Sequence, residues 1–364
     1  MKKKQIFNLS LVGLLLIAAV LRRAFDVSES FSEVYTLSVA PILKFPLSFI
    51  TSFLPFSVFE SAIVIFALIT VIFFLSLLKR AFFKLIKKEC VSYHKVYFKI
   101  ICYCLIFAFL SFVFTFESSY TRKSIDSHIG LESVEMNAEN VALALDRVIE
   151  ETEKLAEEID YVPTRPTVLK MSFKELAKAI LEATEKAEEK YGYLQSYSYP
   201  AKPIAFSLPL AYTGISGIYG YFTGEANINT EFADYSLPFT MAHEYSHQRG
   251  IGPENEAEFS AFLICMESSD PYIRYSAYSQ VAITLSNLLY EYDEELFYNA
   301  FMRFPDVLYY DVYHSSKTYE EYSKTPVDEV ASAINNTYLL SNGDEGVISY
   351  SLSAQLYTAY LLKE

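Results

Sequence analysis

Three uncharged apolar stretches constrain this chain more than any other feature of its sequence. Gln5 to Leu21, Ser61 to Leu78 and Ile100 to Phe116 are each long enough to cross a bilayer as a helix, and the third extends back to Tyr97 if Lys99 snorkels to the interface. Inside lipid every backbone N–H and C=O must be bonded within the segment, so such runs are confined to helix. Spans at about 5–21, 61–78 and 97–116 therefore define a membrane region over residues 1–116, followed by a domain over residues 117–364. Arg22 and Arg23, rather than a small-residue cleavage site, follow the first run, which reads as an uncleaved anchor. Between the first two spans, Val34 to Phe56 is apolar but carries Lys44 and is interrupted by Pro41, Pro46 and Pro55. A straight spanning helix is not expected there; an interfacial or re-entrant segment is, or a loop packed on the membrane surface.

Basic residues orient the chain. The loop between the second and third spans holds Lys79, Arg80, Lys84, Lys87, Lys88 and Lys95 against Glu89 alone, which places it in the cytoplasm. Lys2, Lys3 and Lys4 agree, Arg22 and Arg23 oppose, and with three spans everything after Glu117 is extracytoplasmic. The lipid bilayer is thus the first partner expected. Residues 1–99 carry 13 basic and 5 acidic side chains, a net of +8, so the rest must carry −22 to reach the total of −14. So acidic a domain lacks the basic surface that nucleic acid requires. Cys90, Cys102 and Cys104 lie in or beside the third span and only Cys265 lies beyond it, which supports no disulfide framework.

The chemistry is concentrated in Met241–Gly250, which contains the pattern H-E-x-x-H in a chain with 5 histidines. On a helix His243 and His247 project from one face, where two imidazoles can hold one Zn²⁺ with Glu244 beside it as a base. The bland alternative is a pair of solvated histidines on an amphipathic helix. Gly250 can end the helix in the left-handed conformation, Gly252 and Pro253 supply a turn, and Glu254-Asn255-Glu256-Ala257-Glu258-Phe259 opens a second helix. Zinc with an open position for water takes three protein ligands, commonly two histidines and a carboxylate. Glu254 is the first choice for that carboxylate among Glu254, Glu256 and Glu258. Small Ala257 lets the helices approach, Glu258 would accept the far N–H of a ligand histidine, and Glu256 points to another face. All three glutamates also suit a solvated first turn, where the helix dipole favours them.

Phe222-Thr223-Gly224-Glu225-Ala226-Asn227, then Leu237-Pro238-Phe239-Thr240, then H-E-x-x-H-Q-x-G and E-N-E-A-x-F, resemble an uncharacterised family of bacterial multi-pass membrane proteins, a domain of unknown function. That family is in turn similar to the gluzincin metallopeptidases in its H-E-x-x-H and downstream E-x-x-A-[DN]. The resemblance spans most of the chain, is most specific between Tyr219 and Phe262, and implies a zinc hydrolase fold without a substrate. Glu258 stands where Asn or Asp is usual, keeping an acceptor on a longer arm.

Around the motif the pattern is mainly α. Val141, Leu145, Val148, Thr152, Leu155 and Ile159 keep helical spacing after Asn137, and Ser172-Phe173-Lys174-Glu175 is a capping box opening a helix to about Tyr191. Lys202 to Asn229, punctuated by prolines and glycines, reads as strand and turn, with Tyr221 to Asn229 the candidate edge strand that would pair with an extended substrate, or else a structural hairpin. Tyr272–Tyr292, Glu295–Phe304, Val327–Leu340 and Gly346–Leu362 read as helices, the last two joined by the turn Ser341–Asp344. Tyr350 or His314 could polarise a scissile carbonyl. The expected fold is three N-terminal transmembrane helices before a mostly helical α+β, zincin-like extracytoplasmic domain with a small sheet. The expected function is a membrane-anchored zinc-dependent hydrolase acting on peptide or protein. The alternative is a non-catalytic envelope protein that binds or senses, against which stands Glu244, a residue that a structural metal site does not need.

Overall fold

The computed structural model describes residues 3–86, 91–323, 325–341 and 349–363. Lys2, Lys87, Lys88, Glu89, Cys90, the turn residues Asn342 to Asp344, Gly346 and the side chains of Lys3, Lys4 and Tyr350 lie outside the described residues.

The three uncharged runs form α1 (Lys3–Val27), and the later helices spanning Val58–Leu85 and His94–Thr115. Between them the chain departs from expectation. Instead of breaking at Pro41 and Pro46 it runs through α2 (Glu29–Val34), a π-helical turn (Tyr35–Val39) and α3 (Ala40–Ser52) without a loop, and Pro55 falls in the turn that follows. Pro41 sits in the first turn of α3, where a missing N–H costs little, and the Ala40 N–H ahead of it reaches back to the Tyr35 carbonyl, a wider turn than an α-helix makes. By length and composition Glu29–Ser52 is a fourth helix able to cross a membrane, beside the three expected. It differs from them in burial: 39% of its most apolar window is buried within the protein, against 6%, 0% and 11% for the others. Its buried side carries Thr36, Lys44, Ser48 and Thr51; Ser48 bonds back to the Lys44 carbonyl, and the other three bond to later parts of the chain. The Gln195 side chain donates to the Thr36 carbonyl at 2.7 Å and Thr51 donates to the Thr223 carbonyl at 3.1 Å.

The chain continues through α4 (Val58–Leu85) and α5 (His94–Thr115), which pack together, then α6 (Ile125–Ile129), α7 (Ala138–Ala156) and α8 (Phe173–Tyr191). Asn137 caps α7, whose inner stripe is Val141, Leu145, Val148, Thr152 and Leu155. Ser172 and Glu175 form the reciprocal capping box at the start of α8. After β1 (Lys202–Pro203), α9 (Ser207–Ala211), β2 (Gly217–Gly220) and β3 (Glu225–Ile228) come α10 (Leu237–Gln248), α11 (Glu254–Met266), α12 (Pro271–Tyr292), α13 (Glu294–Phe301), α14 (Asp306–Tyr322), α15 (Pro326–Ser341) and α16 (Ser349–Leu362). Helix α11 lies at the centre. Every residue from Phe259 to Cys265 is buried, because α8, α10, α12 and α16 cover it from all sides.

The strand order is β1-β3-β2, with β3 parallel to β1 and antiparallel to β2 in the register Gly217↔Ile228. This corrects the expected edge strand. Residues 221–224 form the turn of a hairpin, closed by the Gly224 N–H on the Gly220 carbonyl at 2.7 Å with Gly224 at φ +72°. β3 is thereby paired on both sides and wholly buried, whereas β2 beside it has a strand partner on one side only among the described residues. Helix α14 had no counterpart in the sequence reading; its run of tyrosine, serine and β-branched residues has little intrinsic preference for helix, and burial of Val307, Leu308 and Asp311 holds it in place.

Candidate metal centre

Helix α10 begins with Pro238 in its first turn and ends at Gln248, so His243 and His247 fall one helical turn apart on its last two turns. The chain then reverses at Gly250, which takes φ +88°; a Cβ there would lie 2.6 Å from Gln195 Nε2 and 3.0 Å from Thr36. Pro253 starts α11, and the two helices close on each other through Ala257 and through the Ser246 and Ser260 hydroxyls, 2.8 Å apart. This geometry brings Glu254 onto the histidines. His243 Nε2 is 3.0 Å from His247 Nε2 and 3.1 Å from Glu254 Oε2, and His247 Nε2 is 3.5 Å from the same oxygen.

The two histidines differ in what stands behind them. His247 Nδ1 donates to the Ile251 carbonyl at 2.8 Å, which leaves the Nε2 lone pair facing Glu254. His243 Nδ1 faces Glu258 Oε1 at 3.9 Å, beyond hydrogen-bonding reach, and has no partner among the described residues. Tyr357, on α16, donates to the other oxygen of Glu258 at 3.4 Å. Glu256 turns away, accepting a backbone hydrogen bond from Ile125 near Arg122, and burial pushes its carboxyl up to about 8.

Glu244 is 4% exposed, and its Oε2 has no hydrogen-bond partner among the described residues. Strand β2 lies directly on this carboxylate: a Cβ at Gly217 would be 2.5 Å from Glu244 Oε1, so any side chain there would push the carboxylate aside. Burial drives the Glu244 carboxyl up to about 7 against the pull of His243 and His247. A carboxylate that exchanges its proton near neutrality can serve as a general base. Burial works against charge on His243, but the hydrogen bond and charge of Glu254 outweigh it and raise the imidazole to about 9. For Glu254 burial is likewise overcome, by the charge of His247 and the hydrogen bond to His243, and the carboxyl is held well below its usual range.

These three donors fit a metal ion. Two imidazole nitrogens 3.0 Å apart are held together by a shared proton or by a cation, and the carboxylate supplies a third arm for the latter. The sequence brought His243, His247, Glu254, Glu244 and Glu258 to this place; it did not reveal what holds them. Lys44 of α3 donates to the Gln248 carbonyl and so caps the C-terminus of α10. Arg122 donates to the Gly250 carbonyl at 3.1 Å, and the Phe116 ring stands 6.1 Å from that of His247. A lone lysine in an apolar run was the visible signal for the first of these contacts. His314 is on α14, where its Nε2 donates to the Thr164 carbonyl at 3.3 Å, and it does not join the cluster.

A family model described as "Protein of unknown function (DUF3810)" matches residues 35–357, from the α2–α3 segment through the α10–α11 turn and into α16. No curated protein and no solved structure matches the chain.

Proposed function

The chain belongs to that family of unknown function, so its activity must be sought in its own residues, and we propose that it is a membrane-anchored zinc-dependent metallohydrolase acting on peptide bonds. The observation that carries this reading is the convergence of two imidazole nitrogens and a carboxylate oxygen beside a buried carboxylate whose Oε2 has no hydrogen-bond partner among the described residues. Separations of 3.0, 3.1 and 3.5 Å bracket the edge of about 3.3 Å expected of a tetrahedron with arms of about 2.0–2.1 Å, as zinc makes with these donors. His243, His247 and Glu254 would hold the ion, and Glu258 would orient His243 from behind once it closes the gap to Nδ1. When bound, zinc polarises a carbonyl and makes a water acidic near neutral pH. Glu244 takes the proton from the attacking water at its free Oε2 and passes it to the leaving amine. Strand β2 rests on Glu244, and its side without a strand partner among the described residues is where an extended chain would align its scissile bond.

The retained Glu244 favours this over a non-catalytic binding or sensing role. Glu244→Gln keeps size and polarity but cannot accept the proton, so the full-length variant should keep its zinc while peptide turnover falls by about 10²–10⁴-fold. Full turnover in that variant would refute the assignment.

On orientation, we read α1, α4 and α5 as crossing the bilayer and the α2–α3 segment as packed against the domain, since its polar side is bonded to Gln195 and Thr223. Three crossings and the basic α4–α5 side then place the domain outside the cytoplasm. A topology reporter fused after Glu117 should be active only in extracytoplasmic form; the reverse would put the centre in the cytoplasm.

A further inference from the structure

Helix α9 is bound to the membrane helices at a defined level. The N–H groups of Ala205 and Phe206, which lead into it, donate to the two carboxylate oxygens of Glu60 at 2.9 and 2.7 Å. Glu60 lies in the first turn of α4, immediately before the uncharged run that begins at Ser61. Just upstream, the Lys202 ammonium donates to the Thr51 and Phe56 carbonyls at 2.7 and 3.0 Å, tying the same stretch to the turn between α3 and α4. The start of α9 is therefore held where α4 enters the apolar layer.

What α9 shows to its surroundings at that level is apolar. Ser207 and Ala211 point inward, while Phe206, Leu208 and Tyr212 are 57%, 49% and 39% exposed. The α3–α4 turn adds Phe53 at 70% and Phe56 at 52%. From Pro203 to Gly224 the chain carries no charged residue. Phenylalanine, leucine and tyrosine without charge, continuous with lipid-facing helices, match the interfacial layer of a bilayer, where aromatic rings sit between headgroup and acyl chain. A water-facing surface would leave the same side chains as unsatisfied apolar area.

We propose that α9 and the α3–α4 turn are embedded in the interfacial layer of the membrane, as a lipid-binding surface separate from the spanning helices. The chain leaves α9 through Thr213–Ser216 directly into β2, whose Gly217 rests on Glu244. The metal centre is then held at the membrane surface. On the metallohydrolase reading, and only on it, the polypeptides that reach the centre are those held at the bilayer.

The test uses no metal and no activity, so it stands or falls apart from that reading. The chain has no tryptophan. Phe206→Trp and Leu208→Trp therefore each install a single fluorophore in the full-length protein, reconstituted in phosphatidylcholine–phosphatidylglycerol vesicles with or without brominated acyl chains. Both variants should emit blue of a solvated tryptophan and lose most of their intensity in brominated lipid, whereas Tyr298→Trp, 54% exposed on α13, should emit red and keep its intensity. Red, unquenched emission from both α9 variants would overturn the proposal. So would blue emission without bromine quenching, which would mean that protein, a second copy of the chain included, covers α9.

Discussion

Glu225 and Glu244 are both 4% exposed, yet they are built to opposite ends. Glu225 is satisfied completely: Lys202 pairs with it at 2.5 Å, and the N–H groups of Val58 and Phe59 donate to its two oxygens at 3.2 and 2.7 Å. It binds β3 to the start of α4 and so fastens the globular part to the membrane helices. Glu244, one helix away, is left with an oxygen that no described group meets. Burying a carboxylate is costly, and a fold recovers the cost by hydrogen bonds and a counter-charge where the group serves structure. Where that recovery is withheld, as at Glu244 and at His243 Nδ1, the residual demand points to a ligand or a proton in transit.

That contrast can be broken by substitution. The largest effect on stability is expected at the satisfied site: Glu225→Ala leaves the Lys202 ammonium buried without its counter-charge and strips two N–H groups of their acceptor. Removing one member of a buried pair costs about 3–5 kcal/mol, to be read from denaturation of the full-length protein in detergent. A loss below about 1 kcal/mol, the range of exposed pairs, would show that the junction is solvated.

Proton competition at the open site is next in size. Metal-free His243 holds a proton up to about pH 9, because Glu254 more than offsets its burial. An incoming metal must displace that proton, so apparent affinity should rise about tenfold per pH unit toward pH 9 and flatten above it, as chelator competition would measure. A pH-independent affinity would mean that His243 is not displaced. The smallest effect is expected from Glu244→Gln on stability. Replacing a carboxylate whose Oε2 has no hydrogen-bond partner among the described residues by an amide should leave Tm unchanged or slightly raised, in contrast to Glu225→Ala; a drop as large as that of Glu225→Ala would make Glu244 a structural group.

The sequence displayed what is local. Helices α7 and α8 follow from a 3.6-residue stripe and from caps at Asn137 and Ser172, and the meeting of His243, His247 and Glu254 needs only an i,i+4 spacing and a glycine turn. It concealed what depends on partners distant in the chain. Lys44 reaches the end of α10 across 204 residues and Tyr357 reaches Glu258 across 99, and no periodicity encodes either contact. The prolines of the 34–56 segment argued against a continuous helix, yet the polar bonds of its buried side to the globular part support one. Position ahead of the metal helix suggests residues 221–229 as an edge strand, but the same residues also suit a structural hairpin, and that is what closure between Gly220 and Gly224 makes of them.

Metal analysis of the full-length protein tests the central claim most directly, since the α2–α3 segment contributes bonds to the end of α10 and the domain should not be cut from it. After dialysis against metal-free buffer, the wild type should retain about one zinc per chain, and His243→Ala and His247→Ala should each lose it while Glu256→Gln retains it. Wild-type protein without bound zinc, or histidine variants that hold as much as the wild type, would contradict the account.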